Sequence, residues 1–290
     1  MQALLDFWAA YRITVAFAMV NSFFALSTYA VLAAGILSFA SVAFAAIGGF
    51  LGAQIALNLG LGVFWLVPVT ALAGLVSGYL VAAVFLRLDS HWMALASLAL
   101  ILITRVVVIN LPGVTGGVNG MSVPSSITLW MLAVLLAVVA IVFYRINNSW
   151  YGIAATAVRE DPAVASSLGI APRRIQLIAF CISGAVGGVG GMLLAMVLKF
   201  VSPDTYFIHL AFTMIAAVVL GGSYHWAGAI IGAAVFTALP IATQAIIPEF
   251  QEVANGIVLL LIMIFMPRGL VDPRAIRLRK QARSPDGVTP

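Results

Sequence analysis

Side chains that could perform catalysis or bind a metal are few and widely separated in this sequence. Three histidines, His91, His209 and His225, lie far apart, with no cysteine or acid at metal-ligand spacing. Cys181 is the only cysteine, which excludes an intramolecular disulfide and a thiolate metal cluster. No GxxxxGKS or GxxxxGKT phosphate-binding motif occurs. We therefore expect no catalytic site, no metal site and no bound cofactor in this chain.

Arg105 is the one charged residue inside a long apolar segment, ILITRVVVIN (101–110). An arginine at the centre of a bilayer costs at least about 2.5 kcal/mol, so such a residue is a functional candidate. Arg105 is only about one helical turn from the end of its segment, where a long side chain can reach the headgroups. Two interpretations stay open: a snorkelling arginine, or an interior one that binds an anionic group of a solute.

A loop rich in glycine and proline follows, LPGVTGGVNGMSVPSS (111–126). It combines backbone freedom with hydroxyl and amide groups, of which Thr115 and Asn119 could bind a polar solute. Ser125 and Ser126 could also contribute, although capping of the next helix is the simpler role for them.

The stretch AVREDPAVASSLGIAPRRIQ (157–176) gathers charge in a chain that otherwise avoids it, with Arg159, Glu160 and Asp161 in succession. Residues 149–160 have a composition compatible with a helix. Asp161 before Pro162 predicts an N-cap and the start of a second short helix, which Gly169 ends.

This second helix carries an apolar face formed by Val164, Ala165 and Leu168. If the segment is only a solvated loop that sets topology, nothing covers that face. A partner protein or the membrane surface is the alternative, and we expect one of them to cover it.

The composition indicates a polytopic membrane protein. Of the 290 residues, 63% are hydrophobic and only 8% are charged, and the mean hydropathy is +1.16. Soluble domains carry roughly 25% charged residues. The net charge of +5 does not indicate nucleic-acid binding, because Lys and Arg flank apolar blocks or cluster at the C-terminus. We predict an all-α transmembrane bundle of about eight to ten spans.

The apolar segments long enough to cross a bilayer of about 30 Å number nine. The first two are separated only by AGILS, so one of them could be re-entrant or broken. The predicted spans cover about residues 12–34, 37–57, 63–86, 92–110, 127–144, 175–198, 206–220, 227–247 and 253–266.

Basic residues in short connections mark the cytoplasmic side. They predict that residues 145–174 and the basic tail, 268–290, are cytoplasmic, with Arg87 on the same side and 110–126 opposite. The transmembrane domain is then residues 1–267, with a cytoplasmic loop at 149–170. Glycines three or four residues apart, as in GAVGGVGGM (184–192), predict close helix packing inside it.

Four segments in order resemble one known family. AVREDPAVASSLGIAPRRIQLIAFCISGAVGGVGGMLLA (157–195) resembles the cytoplasmic loop and following span of permease subunits of branched-chain amino acid ABC importers, of the LivM type. GILSFASVAFAAIGGFLGA (35–53), LPGVTGGVNGM (111–121) and VVLGGSYHWAGAIIGAAV (218–235) are similar to other blocks of that family. The sequence departs from the usual pattern at 49–50 and at 224–226.

The resemblance implies a set of partners: a homologous second permease, two cytoplasmic ATPases that hold ATP and Mg, and a periplasmic substrate-binding protein. It implies a location in the bacterial inner membrane, with the loop 149–170 as the coupling element. The implied ATPase-docking residues are Arg159, Glu160, Asp161, Val164, Leu168 and Gly169, and the expected solute-path residues are Arg105, Thr115 and Asn119.

The sequence leaves alternatives open for the solute that is carried and for the energy source that drives transport. Members of this family carry branched-chain amino acids, urea, short amides or aromatic acids. A gradient-driven carrier is a second class, but carriers that use protons place Asp, Glu or His within spans, and these spans contain almost none. A membrane enzyme or an assembly scaffold is disfavoured by the lack of a catalytic cluster.

Overall fold

A computed structural model of the chain describes residues 2–60, 62–124 and 127–246, together with Gly256, Leu260, Ile264, Gly269 and Leu270. It confirms the all-α class. The elements in chain order are α1 (Gln2–Leu32), α2 (Ala40–Leu59), α3 (Val63–Phe85), α4 (Ser90–Asn110), α5 (Pro112–Thr115), a 3-10 turn (Gly117–Asn119), β1 (Met121–Ser122), α6 (Leu129–Asn147), α7 (Trp150–Glu160), α8 (Pro162–Ser167), α9 (Pro172–Leu198), β2 (Phe200–Val201), α10 (Ile208–Gly221) and α11 (Trp226–Ile246).

Among the described residues, six helices are each long and apolar enough to cross a membrane alone, and they confirm the first six predicted spans. These helices are α1, α2, α3, α4, α6 and α9. Both α1 and α2 pass singly by length and composition, so neither has to be re-entrant or broken.

The predicted seventh and eighth spans need correction. The helix α10 and the first part of α11, Trp226–Pro240, meet the length and hydropathy of a span only together, and they are bent by 119° at the break between them. With 14 residues, α10 is about 21 Å long and too short to cross alone. Gly222 ends it with φ 107°, a conformation that side chains rarely allow. The predicted ninth span, 253–266, lies outside the described residues except for Gly256, Leu260 and Ile264, each in helical conformation.

The central helix is α9, which packs most extensively against α3, α2 and α1. The contacts are between backbones: a methyl group on Gly184 would overlap the carbonyl of Gly74, and one on Gly48 would overlap that of Gly188. The prediction of close packing through small residues is therefore confirmed. By contrast, α6 lies at the outside, and only 11% of its span is buried.

The two ends of α9 define two faces of the molecule. At its start lie α7 and α8, and at its end β2 pairs antiparallel with β1, Met121 opposite Val201. We call these the α7/α8 face and the β1/β2 face. The glycine-rich loop thus lies opposite the charged segment, as the basic residues predict. The α10–α11 bend lies at the α7/α8 face, because Arg159 of α7 binds Ser223 there.

The α9 contact can be tested with one pair of alanine variants. Gly184→Ala should lower the free energy of unfolding by about 1–3 kcal/mol, because the added methyl meets main-chain atoms that have no room to move. Gly113→Ala is the matched control, since open space surrounds that position. Thermal unfolding of the two purified variants in the same detergent measures the difference; equal stability would contradict this packing.

Candidate functional site

The charged segment is built on α7, whose inner face is fixed to the bundle. Ala154, Ala155 and Val158 are buried and belong to the same apolar cluster as Ile175 of α9. The Tyr151 hydroxyl donates to the carbonyl of Ile175 at 3.2 Å. Burial raises the pKa of Tyr151 above its ordinary value, so this phenol stays a donor. Movement of α7 therefore has to involve the start of α9.

The second short helix, α8, forms as the sequence predicts. The Asp161 carboxylate accepts hydrogen bonds from the backbone N–H groups of Ala163 and Val164, at 2.7 and 3.1 Å. Pro162 occupies the first turn, and Gly169 follows the helix with φ +80°. The predicted cap is thus confirmed, and it engages the carboxylate that the resemblance assigns to ATPase docking.

The outer face of α8 exposes two large apolar side chains. Val164 is 55% and Leu168 is 72% exposed. The prediction that Ala165 belongs to this uncovered face is wrong, because Ala165 is buried in the apolar cluster that α8 shares with α7 and α9. Glu160, the last residue of α7, is also exposed, and its carboxylate has no hydrogen bond or ion pair with any described residue. We call Glu160, Val164 and Leu168 the α8 surface.

Sequence reasoning missed a second exposed pair nearby. Trp150 and Ile153 of α7 are 68% and 69% exposed, one turn apart. For Ile153 the signal was present in the sequence, because the helical repeat places it on the far side of α7 from Ala155 and Val158.

Arg159 points into the chain. Its guanidinium donates to the carbonyl of Ser223 at 2.5 Å and to the Ser223 hydroxyl at 2.8 Å. The same group lies 4.2 Å from the centre of the Tyr224 ring. These contacts hold the α10–α11 bend against α7, so this side chain is already occupied. At the bend, Nδ1 of His225 accepts a hydrogen bond from the N–H of Ala227 at 3.1 Å.

Arg105 also has partners inside the chain. It forms an ion pair of 2.7 Å with Asp204, and it lies 4.4 Å from the centre of the Phe207 ring. Its side chain is 36% exposed. Neither interpretation of the sequence included this acid, which follows β2 and meets α4 only in the folded chain.

The other expected path residues differ in their surroundings. Thr115 is buried, and its hydroxyl bonds the carbonyls of Val108 and Leu111 and the N–H of Gly117, which fastens the loop to the end of α4. Asn119 is exposed and has no hydrogen bond with a described residue. Ser125 and Ser126 lie outside the described residues.

A groove of about 250 Å³ runs between α2 and α4 and includes Thr115, but neither Arg105 nor Asn119. Its lining is apolar apart from Gln54, Thr104 and Thr115. Gln54 is half-buried, and its amide has no hydrogen bond with any described residue. Sequence reasoning did not select Gln54, although an amide within the last turns of an apolar span is a visible signal.

A family model described as branched-chain amino acid transport system / permease component matches residues 11–267. The high-affinity branched-chain amino acid transport system permease protein LivM of Escherichia coli is 30% identical over 266 residues, which cover 79% of this chain and 62% of that protein. The protein of the same name from Salmonella typhimurium is 29% identical over 84% of this chain and 65% of its own length. The chain thus spans less than two thirds of these relatives.

A second kind of relative matches a shorter region. The Escherichia coli permease protein LivH, named for the same transport system, is 30% identical over 146 residues, or 49% of this chain and 46% of that protein. No solved structure matches the chain.

The capping of α8 can be tested with two neighbouring carboxylates. Asp161→Ala should destabilise α8 by about 1 kcal/mol, because two N–H groups lose their acceptor. Hydrogen exchange at Ala163 and Val164 should then become faster, whereas Glu160→Ala should leave it unchanged. Equal exchange in both variants would contradict the cap.

Proposed function

The chain belongs to the permease component family of branched-chain amino acid transport systems, and on this premise we propose that it is one transmembrane subunit of an ATP-driven importer. The observation that carries the proposal is the α8 surface, an apolar and acidic patch outside every span. An importer subunit of this kind requires a place where a soluble motor can attach.

The chemistry of the α8 surface supports an ATPase as its occupant. Val164 and Leu168 are one turn apart on the same face of α8 and are exposed. Burial of such a side chain stabilises a complex by about 1.5–3 kcal/mol. Glu160, the last residue of α7, adds an exposed carboxylate, so a soluble protein with a mixed apolar and basic surface fits this patch. Asp161 and Gly169 contribute by holding α8 in shape.

ATP and Mg belong to the proposed partner, because the sequence lacks a phosphate-binding motif. We propose two ATPases, one for this chain and one for a homologous permease. The match to both LivM and LivH of Escherichia coli supports such a pair. A periplasmic binding protein would deliver the solute at the β1/β2 face. The α7/α8 face and the tail would then be cytoplasmic in a bacterial inner membrane.

The groove between α2 and α4 is the proposed wall of the solute path. Its apolar lining suits an aliphatic side chain, and the amide of Gln54 can hydrogen-bond a polar group. Thr115 supplies surface there, since its hydroxyl is bonded within the chain. Asn119 lies on the same face. We do not assign solute binding to Arg105, which Asp204 and Phe207 already hold. The solute class we propose is branched-chain amino acids.

The docking proposal is tested by a charge placed on the α8 surface. Val164→Asp should abolish co-purification of the ATPases and lower ATP-driven uptake by about tenfold or more, because a carboxylate replaces a methyl pair that the docked ATPase would bury. Val118→Asp is the control: Val118 is 73% exposed on the opposite face, so this variant should keep its ATPases.

Uptake by proteoliposomes of the reconstituted complex measures the outcome. Retention of the ATPases by Val164→Asp would overturn docking at this surface. Uptake that an ion gradient drives without ATP would overturn the importer itself, and competition with leucine, urea and an aromatic acid identifies the solute class.

A further inference from the structure

An arginine holds the chain at each end of α10. In both contacts the guanidinium forms a hydrogen bond and lies over an aromatic ring. At the α7/α8 face, Arg159 binds the carbonyl and hydroxyl of Ser223 and stacks on Tyr224. At the other end, Arg105 binds the carboxylate of Asp204 and stacks on Phe207. Each arginine comes from a different helix, α7 in one case and α4 in the other.

The contact at the bend is made to the main chain. Because Arg159 binds a backbone carbonyl just after the last residue of α10, a shift of α7 displaces the bend itself and not merely a flexible side chain. The carboxyl end of a helix carries partial negative charge, which favours a cation there. Among the described residues no carboxylate pairs with Arg159, so its positive charge is stabilised by the Ser223 carbonyl and the face of the Tyr224 ring.

The backbone of α7 is fixed at the same point. A methyl group on Gly35, in the α1–α2 connection, would lie 2.9 Å from the Cα of Arg159. The N–H of Leu270 donates to the carbonyl of Leu220, the residue before the last of α10. The end of α10 therefore meets the charged segment, the α1–α2 connection and the chain at 270.

The contact at the other end can change its partners. Arg105 donates to Asp204 through one guanidinium nitrogen, while its buried Nε has no hydrogen bond with a described residue. Asp204 is 74% exposed, so water competes for its carboxylate. Because Nε of Arg105 lacks an acceptor and the Asp204 carboxylate is exposed, the Arg105 side chain can adopt a second set of hydrogen bonds at this end. The two hydrogen bonds between Arg159 and Ser223 do not allow such a change.

Between its ends α10 is a stiff element of about 21 Å. It packs on α11 through Gly221 and Gly228, where a methyl on Gly221 would overlap the carbonyl of Gly228. The two helices therefore move together rather than sliding.

We propose that α10 is a rigid connector that carries displacement of the α7–α8 segment to the β1/β2 face, with Arg159 and Arg105 as the positioning residues at its two ends. The inference rests on the proposed function, because the docked ATPase supplies the displacement. It assigns Arg159 and Arg105 to transmission, not to docking or solute binding.

The first experiment measures transmission in the reconstituted complex. Arg159→Gln and Arg105→Gln should each keep the ATPases and their hydrolysis but lower solute transported per ATP by about tenfold. The double variant should transport as much solute per ATP as either single variant, because each substitution interrupts the same connection. Arg87→Gln, an exposed arginine in the α3–α4 connection at the α7/α8 face, is the control and should transport normally.

Two results of this experiment overturn the proposal. Losses that multiply in the double variant mean that the arginines act independently. Loss of the ATPases from Arg159→Gln means that this residue docks the motor.

The second experiment needs no partner and separates the connector from the proposed function. Hydrogen exchange of the purified chain is compared for the native protein, Arg159→Gln and Arg159→Lys. Faster exchange at both 222–228 and 205–210 in the Gln variant supports a rigid connector, with a smaller effect for Lys, which keeps the charge but loses the planar fork. Exchange that changes at 222–228 alone overturns it, whether or not the native chain retains ATPases.

Discussion

In a bilayer, lipid tails are as apolar as leucine, so helices associate only where close packing or polar contacts favour it. The contact of α9 with α2 and α3 meets this requirement, because glycines let the backbones touch. Ser27 adds a buried hydrogen bond from α1 to the carbonyl of Ser183 at 2.8 Å. The rest of the molecule depends on α9, since its two ends place the charged segment on one face and the strand pair on the other.

Charge is placed by the same physical constraint. A charged side chain near lipid is stable only with a partner or with access to water. Arg105 has Asp204 and a ring, and Arg159 has a carbonyl, a hydroxyl and a ring. Asp161 is consumed as a helix cap. The exposed carboxylate of Glu160 has no partner among the described residues, and Val164 and Leu168 are exposed in the segment that follows, which is why the α8 surface stands out as a place for a partner.

The arrangement around α10 connects this surface to the opposite side of the bundle. The α8 surface lies on a segment whose inner side is packed against the start of α9 and whose Arg159 holds the α10–α11 bend. A force applied there reaches main-chain atoms of two inner elements. At the far end of α10, Arg105 meets the same face as the loop that carries Asn119.

The sequence alone determined the class, the six continuous spans, the caps of α8 and the role of the glycines, because hydropathy, helix period and capping are local properties. It did not predict that Ala165 is buried or that α10 and α11 are joined at a sharp bend. It also did not predict the partners of Arg105 and Arg159. Asp204 lies 99 residues from Arg105, and Ser223 lies 64 from Arg159. Only the tertiary structure could bring such distant residues together, since side-chain direction and depth follow from how the helices pack and not from the residues next in the chain.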